Sequence, residues 1–169
     1  MSADKSNSVK LTPRCDKTTA TKRLSPRKNV NDDDAQAEKE DVERHRKAAA
    51  NGGEDALFFL GRCYQHGRGV PRNRRLAARW FAKVLASFRL KAGQGDAWAQ
   101  NRLGDCYLDG YGVAKDEKLA VKWYRKAAEQ GYCLAQFSLG SCYQAGRGVP
   151  KNKRLADKWI DRAMNNPPI

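Results

Sequence analysis

Residues 99–131 read AQNRLGDCYLDGYGVAKDEKLAVKWYRKAAEQG, and the architecture follows from this stretch because most of it is repeated. Its centre, Leu103-Gly104-Asp105-Cys106-Tyr107, occurs upstream as Leu60-Gly61-Arg62-Cys63-Tyr64 and downstream as Leu139-Gly140-Ser141-Cys142-Tyr143, at offsets of 43 and 36. The same offsets carry Gly110-x-Gly112-Val113 onto Gly67-x-Gly69-Val70 and Gly146-x-Gly148-Val149, and Trp123 onto Trp80 and Trp159. A period of this length is the mark of a repeat architecture, in which each unit buries its apolar face only against a neighbour.

Each unit reads as two antiparallel helices. Ala56, Leu60 and Tyr64 fall at i, i+4 and i+8, an apolar stripe of helical period. Gly61, Gly104 and Gly140 cost such a helix propensity, so their recurrence predicts a close helix–helix approach. The Gly-x-Gly-Val run ends the first helix, since glycine takes left-handed backbone angles cheaply. Asn73, Asp116 and Asn152 then stand where N-caps of the second helix are needed, two of them preceded by Pro71 and Pro150. The second helix is expected to turn Leu76, Ala77, Trp80 and Phe81 inward, with Leu119, Ala120, Trp123, Tyr124 and Leu155, Ala156, Trp159, Ile160 as copies.

Upstream, Arg46-Lys47-Ala48-Ala49 matches Arg125-Lys126-Ala127-Ala128 at an offset of 79, with Arg44 in the place of the Trp. The segment reads as a half-unit helix with an acidic, solvent-facing side. The expected organisation is a basic, Ser/Thr-rich disordered arm over 1–34, a capping helix over 35–53, and repeats over 54–95, 96–131 and 132–169. The fold class is all-α: about seven helices in antiparallel pairs, forming a solenoid.

The pattern A-x-x-x-L-G-x-x-Y-x-x-G-x-G-V followed by K-A-x-x-W-[FY]-x-K-A-A-x-x-G resembles the Sel-one-like repeat, a relative of the tetratricopeptide repeat. The likeness covers about residues 35–165 and is carried most fully by 99–131. It implies a right-handed α/α superhelix serving as adaptor or scaffold, without catalytic residues or cofactors. One departure stands out: between Lys83 and Gly95 there are seven more residues than between Lys126 and Gly131. Seven residues are close to two helical turns, so Val84, Leu85 and Phe88 continue the apolar face. Either the N-terminal segment sheathes the longer helix, or it protrudes as a ridge for docking.

The net charge of +14 is unevenly spread. Residues 1–30 carry +6 and residues 31–55 carry −5, while residues 56–95 hold 9 cations and no carboxylate. The five cysteines, Cys15, Cys63, Cys106, Cys133 and Cys142, form no C-x-x-C pair, and reduced thiols are expected. The resemblance adds that a secreted, cysteine-rich branch pairs two cysteines within each repeat, a pattern this chain lacks. No apolar run approaches the ~20 residues of a membrane span, and no apolar signal core opens the chain. A cytoplasmic monomer is expected, with the nucleus as the alternative location.

Three sets of residues stand out as candidate sites. By phase, and by analogy with related repeats, a concave surface would be lined by Phe58, Arg62 and Gln65, by Trp98, Asn101, Asp105 and Leu108, and by Leu134, Phe137, Ser141 and Gln144. Aromatic residues among polar ones suit a protein or peptide partner, though packing between hairpins explains the aromatics equally well. A second set, Arg75, Arg79 and Lys83 with Lys118, Lys122, Lys126 and Arg154, Lys158, Arg162, forms a cationic ribbon on the outer helices. Such a ribbon would suit nucleic acid, the alternative partner, although charges on outer faces are ordinarily just solvated. Third, Lys22-Arg23-Leu24-Ser25-Pro26-Arg27-Lys28 makes Ser25 a candidate phosphosite or part of an import signal. His45 and His66 have no recurring partners, Gly67-x-Gly69 precedes no phosphate-loop lysine, and no metal or catalytic set emerges.

Overall fold

The computed structural model describes residues 32–165. The reading of Ser25, and of all but the last few residues of the arm, therefore lies outside the described residues. Among the described residues seven α-helices follow one another: α1 Asp32–Ala50, α2 Glu54–His66, α3 Arg74–Gly93, α4 Ala97–Asp109, α5 Glu117–Glu129, α6 Cys133–Ala145 and α7 Lys153–Asn165. The capping helix thus starts at Asp32 rather than at residue 35, a margin within which helix ends fray. Consecutive helices pack on one another throughout, most extensively within the hairpins α2/α3, α4/α5 and α6/α7.

Local chemistry fixes each hairpin in the same way. The side chains of Asn73, Asp116 and Asn152 accept from the backbone N–H of Leu76, Leu119 and Leu155 at 3.0, 2.9 and 3.0 Å. Each such cap contributes about 1 kcal/mol. Gly67, Gly110 and Gly146 end the first helices at φ of 73°, 74° and 74°, where a side chain would be strained. Between the two helices a glycine backbone lies against a side chain of the second helix, a ring in the first two hairpins and Ile160 in the third. A Cβ on Gly61 would lie 2.5 Å from the Phe81 ring, and one on Gly104 would lie 2.6 Å from the Tyr124 ring.

The inward set is met in part: the tryptophans pack against the core but stand at its edge, half-buried like Leu76, Leu119, Leu155 and Ile160. Ala77, Phe81, Ala120, Tyr124 and Ala156 are buried, but Trp80, Trp123 and Trp159 are only half-buried. A cation three residues on covers each exposed ring face: Lys83 lies 4.8 Å from the Trp80 ring, Lys126 4.6 Å from that of Trp123 and Arg162 5.5 Å from that of Trp159. The indole is thus an edge residue that supports part of the cationic ribbon.

Three junctions join the pieces, and two are copies at an offset of 79. At α1/α2, Arg68 pairs with Glu38 at 3.3 Å and Arg46 donates to the Tyr64 hydroxyl at 2.9 Å. At α5/α6, Arg147 pairs with Glu117 at 3.5 Å and Arg125 donates to the Tyr143 hydroxyl at 2.9 Å. In both, a glycine, Gly69 or Gly148, lies against the backbone carbonyl of that glutamate so closely that a methyl group would run into it.

The middle junction, α3/α4, uses other chemistry. Counting back 36 residues from Glu117 and Arg147 gives Phe81 and Tyr111, whose rings stack with centroids 5.0 Å apart and planes 16° apart. Gly112, the counterpart of Gly148, lies against Phe81 and Leu85. The same spacing holds further along: Gln100 donates to the Ala92 carbonyl at 3.2 Å as Gln136 does to that of Ala128 at 3.1 Å. Thus α3 carries out in series two tasks that α5 carries out on one stretch. Residues up to Phe81 close the hairpin over Gly61; Leu85, Phe88 and Ala92, in the places of Val121, Tyr124 and Ala128, receive the next repeat.

This corrects the ridge reading of the seven extra residues; a sheath from the N-terminal segment lies largely outside the described residues. Val84, Leu85 and Phe88 are 0%, 6% and 0% exposed, so the segment is no ridge. Repeat helices cover this face: Phe88 meets Phe58 at 5.8 Å and Trp98 at 5.3 Å.

Candidate interaction surface

The first helices of the repeats, α2, α4 and α6, carry the residues expected to line a concave face, and the structure divides them. Phe58, Asn101 and Leu108 are interior, 2%, 3% and 4% exposed, which removes them from any surface a partner could touch. Phe58 is buried by the aromatic junction, packing edge-on to Phe88 and Tyr111 and tilting against Phe81, while Leu108 joins the cluster of Val121, Tyr124, Tyr132 and Leu139. Arg62, Gln65, Trp98, Asp105, Leu134, Phe137 and Ser141 are half-buried, and Gln144 is exposed. Trp98, Leu134 and Phe137 therefore offer apolar surface beside polar groups on two successive first helices.

Arg102 organises this layer. It lies 2.8 Å from Asp55 on α2 and 3.5 Å from Asp105 on its own helix. Its guanidinium also sits 5.5 Å from the Phe58 ring and 5.7 Å from the Trp98 ring. Burial works against its charge, but Asp105 and Asp55 outweigh that and raise its pKa. Asp105 in turn accepts from the Tyr124 hydroxyl at 2.7 Å, which joins the network to the hairpin core. Glu54 behaves similarly at the start of α2: burial opposes its charge, while hydrogen bonds from Lys91 at 2.6 Å and from Ser87 hold its pKa below the ordinary value.

Repeat comparison hides Arg102, because its copies are Phe59 and Ser138. The signal available in the sequence was Asp105 three residues on, at ion-pair spacing on a helix.

The cysteines of the repeat centre, Cys63, Cys106 and Cys142, are buried and carry no disulfide. Burial pushes the Cys63 thiol up to about 11 and the Cys106 thiol up to about 12, so both stay protonated and unreactive at neutral pH. His66 faces the Tyr111 hydroxyl at 2.9 Å, and His45 stacks on Phe59 at 3.8 Å. Among the described residues no three His, Cys, Asp or Glu side chains cluster as metal ligands would.

All nine residues of the cationic ribbon, from Arg75 to Arg162, are exposed, and none makes an ion pair with a described carboxylate. Among the described residues no helix is long and apolar enough to cross a membrane.

The family model for the Sel1 repeat matches three times, over residues 54–83, 99–132 and 133–165. Among solved structures, a protective antigen of uropathogenic Escherichia coli with an SLR fold is 34% identical, with a TM-score of 0.47. That match covers 74% of this chain and 33% of the antigen, so the chain spans about a third of that protein's length. A Sel1 repeat protein from Oxalobacter formigenes is 35% identical over 72% of this chain and 88% of its own, with a TM-score of 0.47. Cysteine-rich protein B of Helicobacter pylori is 23% identical over 75% of this chain and 88% of its own, with a TM-score of 0.42. No curated protein matches the chain.

Proposed function

Because the chain belongs to the Sel1 repeat family, we propose that it is a non-catalytic adaptor that holds a protein or peptide along the layer formed by α2, α4 and α6. Repeats of this kind generally mediate protein interactions. The observation that carries the reading here is the half-buried set Trp98, Leu134 and Phe137, interleaved with Arg62, Asp105 and Ser141 on adjoining first helices. Partly exposed aromatic side chains fixed by a supporting network are the usual anchors of a protein interface. Arg102 supplies that support for Trp98. A cytoplasmic location, with the nucleus as the alternative, belongs to the same proposal.

The test is affinity capture with the full chain, comparing wild type with Trp98→Ala and Phe137→Ala variants whose circular dichroism and melting temperature are unchanged. A partner retained by the wild type should bind each variant at least about tenfold more weakly, the loss typical of an interface anchor. Partners indifferent to both substitutions would remove this face from consideration. Capture that depends instead on Arg75, Arg79 and Lys83 and is abolished by nuclease would support the nucleic-acid alternative.

A further inference from the structure

We propose that the first two turns of α3 are a docking face for an acidic helical segment of a partner protein. The face is created by the register of the middle junction. In α5 the corresponding turns are covered or engaged: Glu117 pairs with Arg147, Val121 is 3% exposed and Arg125 donates to Tyr143. Their counterparts in α3, Arg74, Ala78 and Ala82, are all exposed, because α4 engages Leu85, Phe88 and Ala92 further along. Seven residues of helix correspond to about 10 Å. A length of helix face that receives another helix elsewhere in this fold is therefore left bare.

Its chemistry specifies the occupant. Ala78, Ala82 and Ala86 are exposed at i, i+4 and i+8 and form a low floor. Small side chains let a second helix approach to the short end of the 8–10 Å range of interaxial distances. Arg74 ends the same row one turn before Ala78, and Arg75, Arg79 and Lys83 form the row beside it; all four are exposed, and none is ion-paired with a described carboxylate. Residues 56–95 contain no carboxylate, so any acidic group on this face has to come from elsewhere. The chain's own candidates do not serve: residues 1–30 carry +6, and the acidic stretch that follows is held in α1, against α2. A helix with glutamates along the edge of a small-residue face satisfies both floor and rim. Nucleic acid would use the cations and leave the alanine floor without a purpose.

The experiment uses the full chain and a fluorescein-labelled peptide of four Glu-Ala-Ala-Ala units, followed by anisotropy at low salt, where rim charges are least screened. Arg75→Glu with Arg79→Glu should weaken binding at least about tenfold. Ala82→Phe, which raises the floor and leaves the charge alone, should weaken it by about threefold or more, one tenfold step being 1.4 kcal/mol. Lys118→Glu with Lys122→Glu, the same outer stripe one repeat on, should leave affinity within about twofold. Trp98→Ala should do likewise, which separates this face from the first-helix layer. The proposal is overturned if the peptide does not bind by millimolar concentration, or if the two charge reversals weaken binding alike. It is overturned equally if Ala82→Phe has no effect, or if a 20-base-pair duplex of arbitrary sequence binds more tightly than the peptide and depends on the same arginines.

Discussion

The junctions α5/α6 and α3/α4 answer one structural demand with opposite chemistries. At α5/α6 an apolar core that includes Val121, Tyr124 and Leu139 is edged by a polar rim: Glu117 with Arg147, Arg125 with Tyr143, and Arg147 again with Asp109 at 3.0 Å. At α3/α4 the same three relationships become Phe81 on Tyr111, an Arg89 ion-paired with no described carboxylate, and His66 against Tyr111. Exposed ion pairs add little stability and tolerate displacement, whereas a stacked aromatic pair in a core fixes position. The middle junction thus sets the register between the two halves of the stack, and the outer junction adds a copy.

The largest effect should come from removing the segment that makes the difference. Deleting residues 84–90 takes out Val84, Leu85 and Phe88, which are 0%, 6% and 0% exposed, and brings Arg74 rather than Phe81 opposite Tyr111. Each lost side chain stabilises by about 1.5–3 kcal/mol, so the shortened chain should lose cooperative unfolding. Adding Arg74→Glu and Tyr111→Arg to the deletion recreates the pair found at Glu117 and Arg147, and should restore a thermal transition measurable by circular dichroism. If the triple variant stays as unfolded as the deletion alone, the two junctions are not interchangeable solutions.

Single substitutions sharpen the contrast. Phe81→Ala removes a side chain, 1% exposed, that closes one hairpin and receives the next, and should cost about 3–5 kcal/mol in urea unfolding. Arg147→Ala leaves mainly exposed partners and should cost less than about 1 kcal/mol. Comparable losses from the two would mean that the polar junction contributes as much as the aromatic one.

What could be read from the sequence, and what could not, divides along the same line. Helix pairing, the caps at Asn73, Asp116 and Asn152, and the close approach at Gly61 depend on residues within one repeat, so a recurring pattern reveals them. The seven extra residues were visible as a change of offset. Their role was not, because whether α4 meets the first or the second half of α3 depends on which apolar set wins the contact. For a related reason periodicity did not show that Trp80, Trp123 and Trp159 stand at the edge of the core they pack against: an indole under a cation and an indole deep in a core recur alike. Helical phase left Phe58 equally suited to a concave surface and to packing between hairpins, and it is buried because Phe88 and Tyr111 arrive from distant parts of the chain. Arg102 escaped notice because it does not recur, and repetition was the strongest signal available.

The smallest predicted difference is in acid. His66 and Tyr111 occupy the places held by Asp109 and Arg147 one repeat on. Burial lowers the His66 pKa from its ordinary 6.5, and Arg62, Arg72 and Arg68 add to the effect, with Asp109 opposing them. Since the folded state binds the proton less readily than the unfolded state, this contribution is complete above about pH 6.5 and is lost as pH falls through the lower folded value. The side chain is partly solvated, so the melting temperature should fall by only about 1–2 °C more in wild type than in His66→Gln between pH 7.5 and 5.5. His45, whose pKa is also lowered, chiefly by burial and then by Arg44, is present in both proteins and cancels in the difference. Equal slopes for the two proteins would mean that His66 is solvated well enough to titrate as it does in the unfolded chain. The middle junction would then owe its hold to Phe81, Tyr111 and the buried Leu85, Phe88 and Ala92, without a contribution from His66.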